Sequence, residues 1–90
     1  MAFRILYAPE FKRDYQKLTP ELKQRLKVLG VLFEHNPFDP RLRTHKLTGK
    51  LHGRWSFSLD YRNRALFCFL PGGAVLLLRV GDHSIYRRQH

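Results

Sequence analysis

The stretch Ala74-Val75-Leu76-Leu77-Leu78-Arg79-Val80-Gly81-Asp82-His83-Ser84-Ile85-Tyr86-Arg87 decides how this chain is read. Its first half is the most apolar run in the sequence, interrupted only by Arg79. A run of that length and composition predicts a buried central strand over residues 74–80. Gly81 ends it. Directly afterwards come an imidazole at His83 that exchanges protons near neutrality, a phenol at Tyr86 and the fixed donor fork of Arg87. Reactive groups just past the end of a rigid strand are positioned by the scaffold yet open to solvent. The bland alternative is that His83 is a surface or capping residue.

Upstream of this strand, Pro71-Gly72-Gly73 predicts a hairpin turn. Residues 64–70 predict a second strand, apolar enough to be covered on both faces. Tyr61-Arg62-Asn63 predicts a turn, with Asp60 initiating it. Before it the period is two: Trp55, Phe57 and Leu59 point one way, and Ser56, Ser58 and Asp60 the other. These segments form a three-stranded antiparallel meander.

Residues 36–53 have no clear period and contain Pro37, Pro40, Gly49 and Gly53. This basic stretch carries Arg41, Arg43, His45, Lys46, Lys50 and His52, and Arg54 follows it. Long loops of this kind tend to be functional or mobile. Further upstream, Thr19 is a good N-cap, Pro20 suits a first helical turn, and Asn36-Pro37 ends the helix. Leu22, Leu26, Leu29 and Phe33 supply its inner stripe, widened by Val28 and Leu32. A shorter helix starts at Pro9, with Phe11, Tyr15 and Leu18 on one face, and the two form an antiparallel hairpin. Phe3-Arg4-Ile5-Leu6-Tyr7 predicts a short N-terminal strand. The fold class is α+β, with both helices on one face of the sheet.

The chain has 90 residues, which predicts one domain over residues 1–90. Hydrophobic residues at 43% suffice for one modest core. Lys and Arg number 17 against 7 Asp and Glu, a net charge of +10 that attracts polyanions or an acidic protein. Cys68 is the one cysteine, so no internal disulfide forms, and it reads as a small hydrophobe. The histidines lack zinc-ligand spacing, and no metal or cofactor is expected. No apolar run is long enough to span a bilayer, and Met1-Ala2-Phe3-Arg4 lacks a signal-peptide layout. A cytoplasmic protein is the expectation.

Three stretches carry a resemblance. They are Leu47-Thr48-Gly49-Lys50-Leu51-His52-Gly53-Arg54-Trp55, Asp60-Tyr61-Arg62-Asn63-Arg64-Ala65-Leu66-Phe67, and Val80-Gly81-Asp82-His83-Ser84-Ile85-Tyr86. With the element order, they resemble the RelE/ParE superfamily of toxins from toxin–antitoxin pairs, in its RelE and YafQ branch. The resemblance covers nearly the whole chain. It implies a metal-independent endoribonuclease that cleaves messenger RNA, usually in the ribosomal A site. It also implies an acidic antitoxin partner that drapes over the toxin in a hetero-oligomer. ParE-like members share the fold but poison DNA gyrase, and a non-catalytic basic binding protein is a further alternative.

The resemblance also assigns roles. Arg64 matches the arginine that holds the scissile phosphate. His83 stands where YafQ-like members have a histidine proposed as general acid or base, and where RelE proper has arginine. Tyr86 matches the C-terminal aromatic set against the substrate, and His45 a loop histidine of YafQ-like members. Ser56 and Ser58 stand roughly where RelE has paired lysines, and another YafQ histidine also falls near Ser58, which leaves the base open.

Cleavage through a 2′-hydroxyl needs a group that takes its proton, a group that protonates the leaving 5′ oxygen, and cations around the phosphorane. His83 and Tyr86 are the proton-transfer candidates. Arg64 is the first cation, with His45, Lys46, Lys50, Arg54, Arg79 and Arg87 as further RNA-phosphate contacts. Arg79 has a structural alternative as an edge residue or the salt-bridge partner of Asp60 or Asp82. Lys46 and Lys50 have one as solvated loop charges, and Trp55 reads as core or as the rim of a binding groove.

Overall fold

The computed structural model describes residues 3–86. Strand β1 (Arg4–Tyr7) leads into helix α1 (Pro9–Gln16) and helix α2 (Pro20–His35). A two-residue strand β2 (His45–Lys46) follows, then β3 (Trp55–Ser58), β4 (Arg64–Leu70) and β5 (Ala74–Gly81). One 3₁₀ turn (Pro40–Leu42) precedes β2, another (Gly49–Leu51) follows it, and a third (His83–Tyr86) follows β5. The strands make one five-stranded sheet in the order β1-β5-β4-β3-β2, with β1 parallel to β5 and the other neighbours antiparallel. The expected α+β order is present. The sequence reading missed β2, because two residues are too few to show a period.

Both helices start where local chemistry places them. Pro9 and Pro20 occupy first turns, where a missing N–H costs nothing. The Thr19 hydroxyl accepts from the Leu22 N–H at 3.2 Å. One face of the sheet carries Phe57, Ala65, Phe67, Val75, Leu77 and Val80 against Phe11, Leu26 and Phe33 of the helices. Phe33 is the keystone: its ring lies 4.8 Å from Phe57, tilted, and 4.8 Å from Phe67, edge-on. Trp55 is half-buried at the margin of this core, edge-on to Phe38 and Phe69. Val28 does not widen the α2 stripe as expected. It is 55% exposed, because the apolar arc of α2 extends past what the sheet covers.

A β-bulge resolves the position of Arg79. Leu66 pairs with Arg79, but Phe67 pairs with Leu77, so Leu78 is an extra residue on β5. Strict alternation would put Arg79 on the core face with Val75 and Leu77. The bulge reverses the parity, so Val80 enters the core and Arg79 stays out of it.

The Arg79 guanidinium meets Asp14 of α1, with Nε 2.6 Å from one carboxylate oxygen and Nη2 3.1 Å from the other. The expected partners, Asp60 and Asp82, are therefore corrected to Asp14. The hydrogen bonds from Arg79 to Asp14 raise the guanidinium's pKa further, against a smaller burial penalty. Pairing of β1 with β5 ends at Tyr7 and Leu77. Beyond it Asp14 also accepts the Val80 N–H at 3.1 Å, doing the work of an edge strand. The two side chains are only 19% and 13% exposed. Asp14→Ala is accordingly expected to cost about 2–3 kcal/mol, at or below the range for breaking a buried pair. Urea unfolding checks this as a lower midpoint with an unchanged slope; an unchanged midpoint would show that the pair contributes nothing net.

Candidate functional site

The strand register builds the site on the sheet face away from the helices. His45 pairs with Ser56, Ser56 with Leu66, and Leu66 with Arg79. Two residues along, Ser58 pairs with Arg64 and Arg64 with Gly81. Paired residues in antiparallel strands share a face, as do residues two apart. His45, Ser56, Ser58 and Arg64 therefore lie on one face. Gly81, the partner of Arg64, releases the chain into the turn carrying His83 and Tyr86.

Gly81 has φ +151°, and a Cβ there would sit 3.1 Å from Ile85 Cγ2. Glycine thus admits both the backbone angle and the close return of buried Ile85. Asp82 caps the turn: its Oδ1 accepts the Ser84 N–H at 2.9 Å, and its carbonyl accepts the Ile85 N–H at 3.1 Å. The hydrogen bonds from Ser84, with His83 and Arg62 nearby, hold the Asp82 carboxyl below its ordinary pKa against a small burial penalty. His83 is exposed, and its ring centroid lies 6.1 Å from that of half-buried Tyr86. The two proton-transfer candidates are therefore neighbours on one short turn.

Arg64 is half-buried at the start of β4. Its Nη1 donates to the carbonyls of Asp60 at 2.7 Å, Asn63 at 3.2 Å and Tyr61 at 3.3 Å. These bonds use one guanidinium nitrogen and fix the side chain over the loop between β3 and β4. Asp60 is the turn-former that the sequence predicts. Its Oδ1 accepts the N–H groups of Arg62 and Asn63, both at 2.8 Å, and the Asn63 side-chain amide at 3.0 Å. Burial pushes the Asp60 carboxyl up, but the Asn63 and Arg62 hydrogen bonds and the charge of Arg25 outweigh it and hold the group below its ordinary value. Arg25 also donates from Nε to the Leu59 carbonyl.

His45 has a partner that the sequence did not suggest. Ser56 is fully buried, and its Oγ lies 3.4 Å from His45 Nε2, while His45 Nδ1 lies 3.2 Å from the Arg43 carbonyl. A carbonyl only accepts, so Nδ1 is a donor here. Nε2 faces the Ser56 hydroxyl. The alternation in β3 put Ser56 on the right face, but β2, which presents the histidine, left no period to read.

The other predicted phosphate contacts divide. Lys46 and Lys50 are exposed on β2 and the following 3₁₀ turn. Arg54 is half-buried, and its Nε is buried with no hydrogen-bond partner among the described residues. Arg79 is committed to Asp14 and does not join the site. Arg87 lies outside the described residues. The basic loop is tied down by the Thr44 hydroxyl, which donates to the Pro37 carbonyl, and by buried Leu42. Arg41 hydrogen-bonds Asp39 and lowers its carboxyl to about 2. Among the described residues, no cluster of His, Cys, Asp and Glu is arranged to hold a metal ion, and no helix is long and apolar enough to cross a membrane.

No protein-family model matches this chain, and no curated protein matches it. Solved structures do. YafQ from E. coli strain BL21(DE3) superposes with a TM-score of 0.77 at 18% identity, covering 93% of this chain and 97% of that one. A YoeB/ParE toxin from Agrobacterium tumefaciens gives 0.76 at 17% identity over 89% and 98%. The toxin–antitoxin complex RelBE2 from Mycobacterium tuberculosis gives 0.65 at 23% identity over 92% and 100%. The arrangement of β1, the two helices and the antiparallel strands is thus the fold of the RelE/YafQ-like toxins, and this chain has that fold.

Proposed function

We propose that this protein is the toxin of a toxin–antitoxin pair, a cytoplasmic endoribonuclease that cleaves messenger RNA through the 2′-hydroxyl, on the ribosome, without a metal. The observation that carries the reading is the register across the sheet. It sets Arg64 beside Gly81, from which the chain turns to His83 and Tyr86, on a sheet that also presents His45.

In the proposed reaction the 2′ oxygen attacks phosphorus and loses its proton to a base. The bond from phosphorus to the 5′ oxygen breaks, and that oxygen gains a proton. The products are a 2′,3′-cyclic phosphate and a 5′-hydroxyl. Arg64 meets the negative charge that builds on the phosphoryl oxygens, with the donors that the loop carbonyls do not occupy. His83 carries one proton transfer, and its exposure lets it reach a bound strand. Tyr86 lines the same turn and orients the ribose or leaving group. His45, an exposed imidazole on the same face, is the second proton-transfer group, so the two imidazoles divide the work of base and acid.

A partner surface lies on the helix side. An open groove of about 690 Å³ between α1, α2 and the sheet is lined by Tyr7, Phe11, Tyr15, Leu26 and Val31, with Lys12, Lys27 and one acid, Glu34, also on its wall. Apolar lining with flanking cations suits an amphipathic, acidic antitoxin segment. Co-expression with the products of the adjacent reading frames is expected to yield a stable complex with a small acidic protein. No complex with any of them would argue against the toxin reading. Induction of the protein alone is expected to arrest growth with truncated messages. Arrest with intact messages and loss of plasmid supercoiling would favour the gyrase-inhibiting alternative.

A further inference from the structure

Arg54 is the one described residue with a buried side-chain polar atom lacking a hydrogen-bond partner. Its main chain is held, since its N–H reaches the Leu51 carbonyl at 2.9 Å and its carbonyl accepts the Leu47 N–H at 2.9 Å. The bond from Leu47 extends the pairing of β2 with β3, so alternation puts Arg54 on the face of Ser56, Ser58 and His45. A guanidinium stays charged in any protein environment, and a desolvated donor on it is costly unless an acceptor arrives. Neither ion pair among the described residues includes Arg54.

Resting on the ribonuclease reading, we propose that Arg54 holds a second phosphate of single-stranded RNA, apart from the scissile phosphate at Arg64, and so fixes the register of the strand. Arg54, which directly precedes β3, and Ser58, the partner of Arg64, are four residues apart, a span of about 13 Å at the ordinary strand rise. The Arg64 side chain leans further away, onto the loop carbonyls of residues 60–63. One phosphate does not serve both. The intervening face is lined by the His45–Ser56 pair, so a strand running from Arg64 to Arg54 passes over it. Lys46 and Lys50 are exposed on the adjoining segments and extend the positive field. An acidic protein segment offers Arg54 a carboxylate instead, but its continuity with Arg64 and His45 favours RNA.

The test uses the full-length protein and uncleavable 2′-O-methyl oligoribonucleotides of increasing length, with binding read by fluorescence anisotropy over a range of salt. Wild type is expected to show a step in affinity of about tenfold once the oligonucleotide spans both arginines, and R54M is expected to lack that step. The salt slope of R54M falls by about 0.7, the contribution of one phosphate on a single strand. R54K restores part of the step, since it keeps the charge without the fork. The unfolding midpoint of R54M stays level or rises, because a buried unpaired donor is removed. A uniform loss at every length would overturn the subsite and leave Arg54 as general field. A loss matched by polyglutamate of equal length would also overturn it, assigning the group to acidic proteins. Failure of wild type to bind any of these RNAs would overturn the ribonuclease reading as well.

Discussion

His83→Ala is expected to slow RNA cleavage by about 10²- to 10⁴-fold, the usual contribution of a general acid or base. Its unfolding free energy is expected to stay within about 0.5 kcal/mol of wild type, as for most exposed positions without a special contact. The structural basis is the separation of roles within one turn. Asp82 and buried Ile85 hold the turn, while His83 is exposed. His83→Gln keeps size and hydrogen bonding but not proton transfer, so it is expected to be nearly as slow. His83→Arg is the sharper variant. If it retains activity and loses the limb of the pH–rate profile that an imidazole contributes, the side chain stabilises charge and does not move a proton. Full activity in both His83→Ala and Tyr86→Phe would remove the turn from the mechanism and favour the gyrase-inhibiting reading.

Arg64→Ala carries the second large effect, about 10²- to 10³-fold in cleavage, the size expected when one preorganised donor to a developing oxyanion is lost. Here stability moves too. Nη1 bridges the carbonyls of Asp60, Tyr61 and Asn63, so its removal is expected to cost about 1–2 kcal/mol. Asp60 still holds its turn through the Arg62 and Asn63 N–H groups, which limits the loss. Arg64→Lys restores the charge without the fork, so it is expected to recover only part of the rate. Comparing the two variants at a temperature where both are folded separates loop anchoring from phosphate binding. Unimpaired cleavage by folded Arg64→Ala would take this residue out of the site.

Much of this was legible because the local signals agreed. Pro9, Pro20 and Thr19 fixed the helix starts, the alternation from Trp55 fixed the faces of β3, and Pro71-Gly72-Gly73 marked the hairpin. What the sequence hid was non-local or too short to be periodic. The bulge at Leu78 has no signature in an unbroken apolar run, so the side taken by Arg79 was undecidable until its strand partners were known. Asp14 lies 65 residues from Arg79 and looks like any polar helix residue. The two-residue strand β2 carries His45 to Ser56, a contact that no local pattern in the sequence announces. Arg54 was legible as a basic residue but not as one whose Nε is buried and unpartnered, which sets it apart from exposed Lys46 and Lys50.

The most direct measurement is the chemistry of the message ends in a cell-free translation reaction supplied with the purified protein, with plasmid supercoiling read in parallel. The account predicts discrete cuts ending in 2′,3′-cyclic phosphate or its 3′-phosphate hydrolysis product, with 5′-hydroxyl partners. The cuts disappear when the nucleotide at the cut is 2′-deoxy, and supercoiling is unchanged. Intact messages with relaxed plasmid, or cuts that persist at a 2′-deoxy nucleotide, would contradict it.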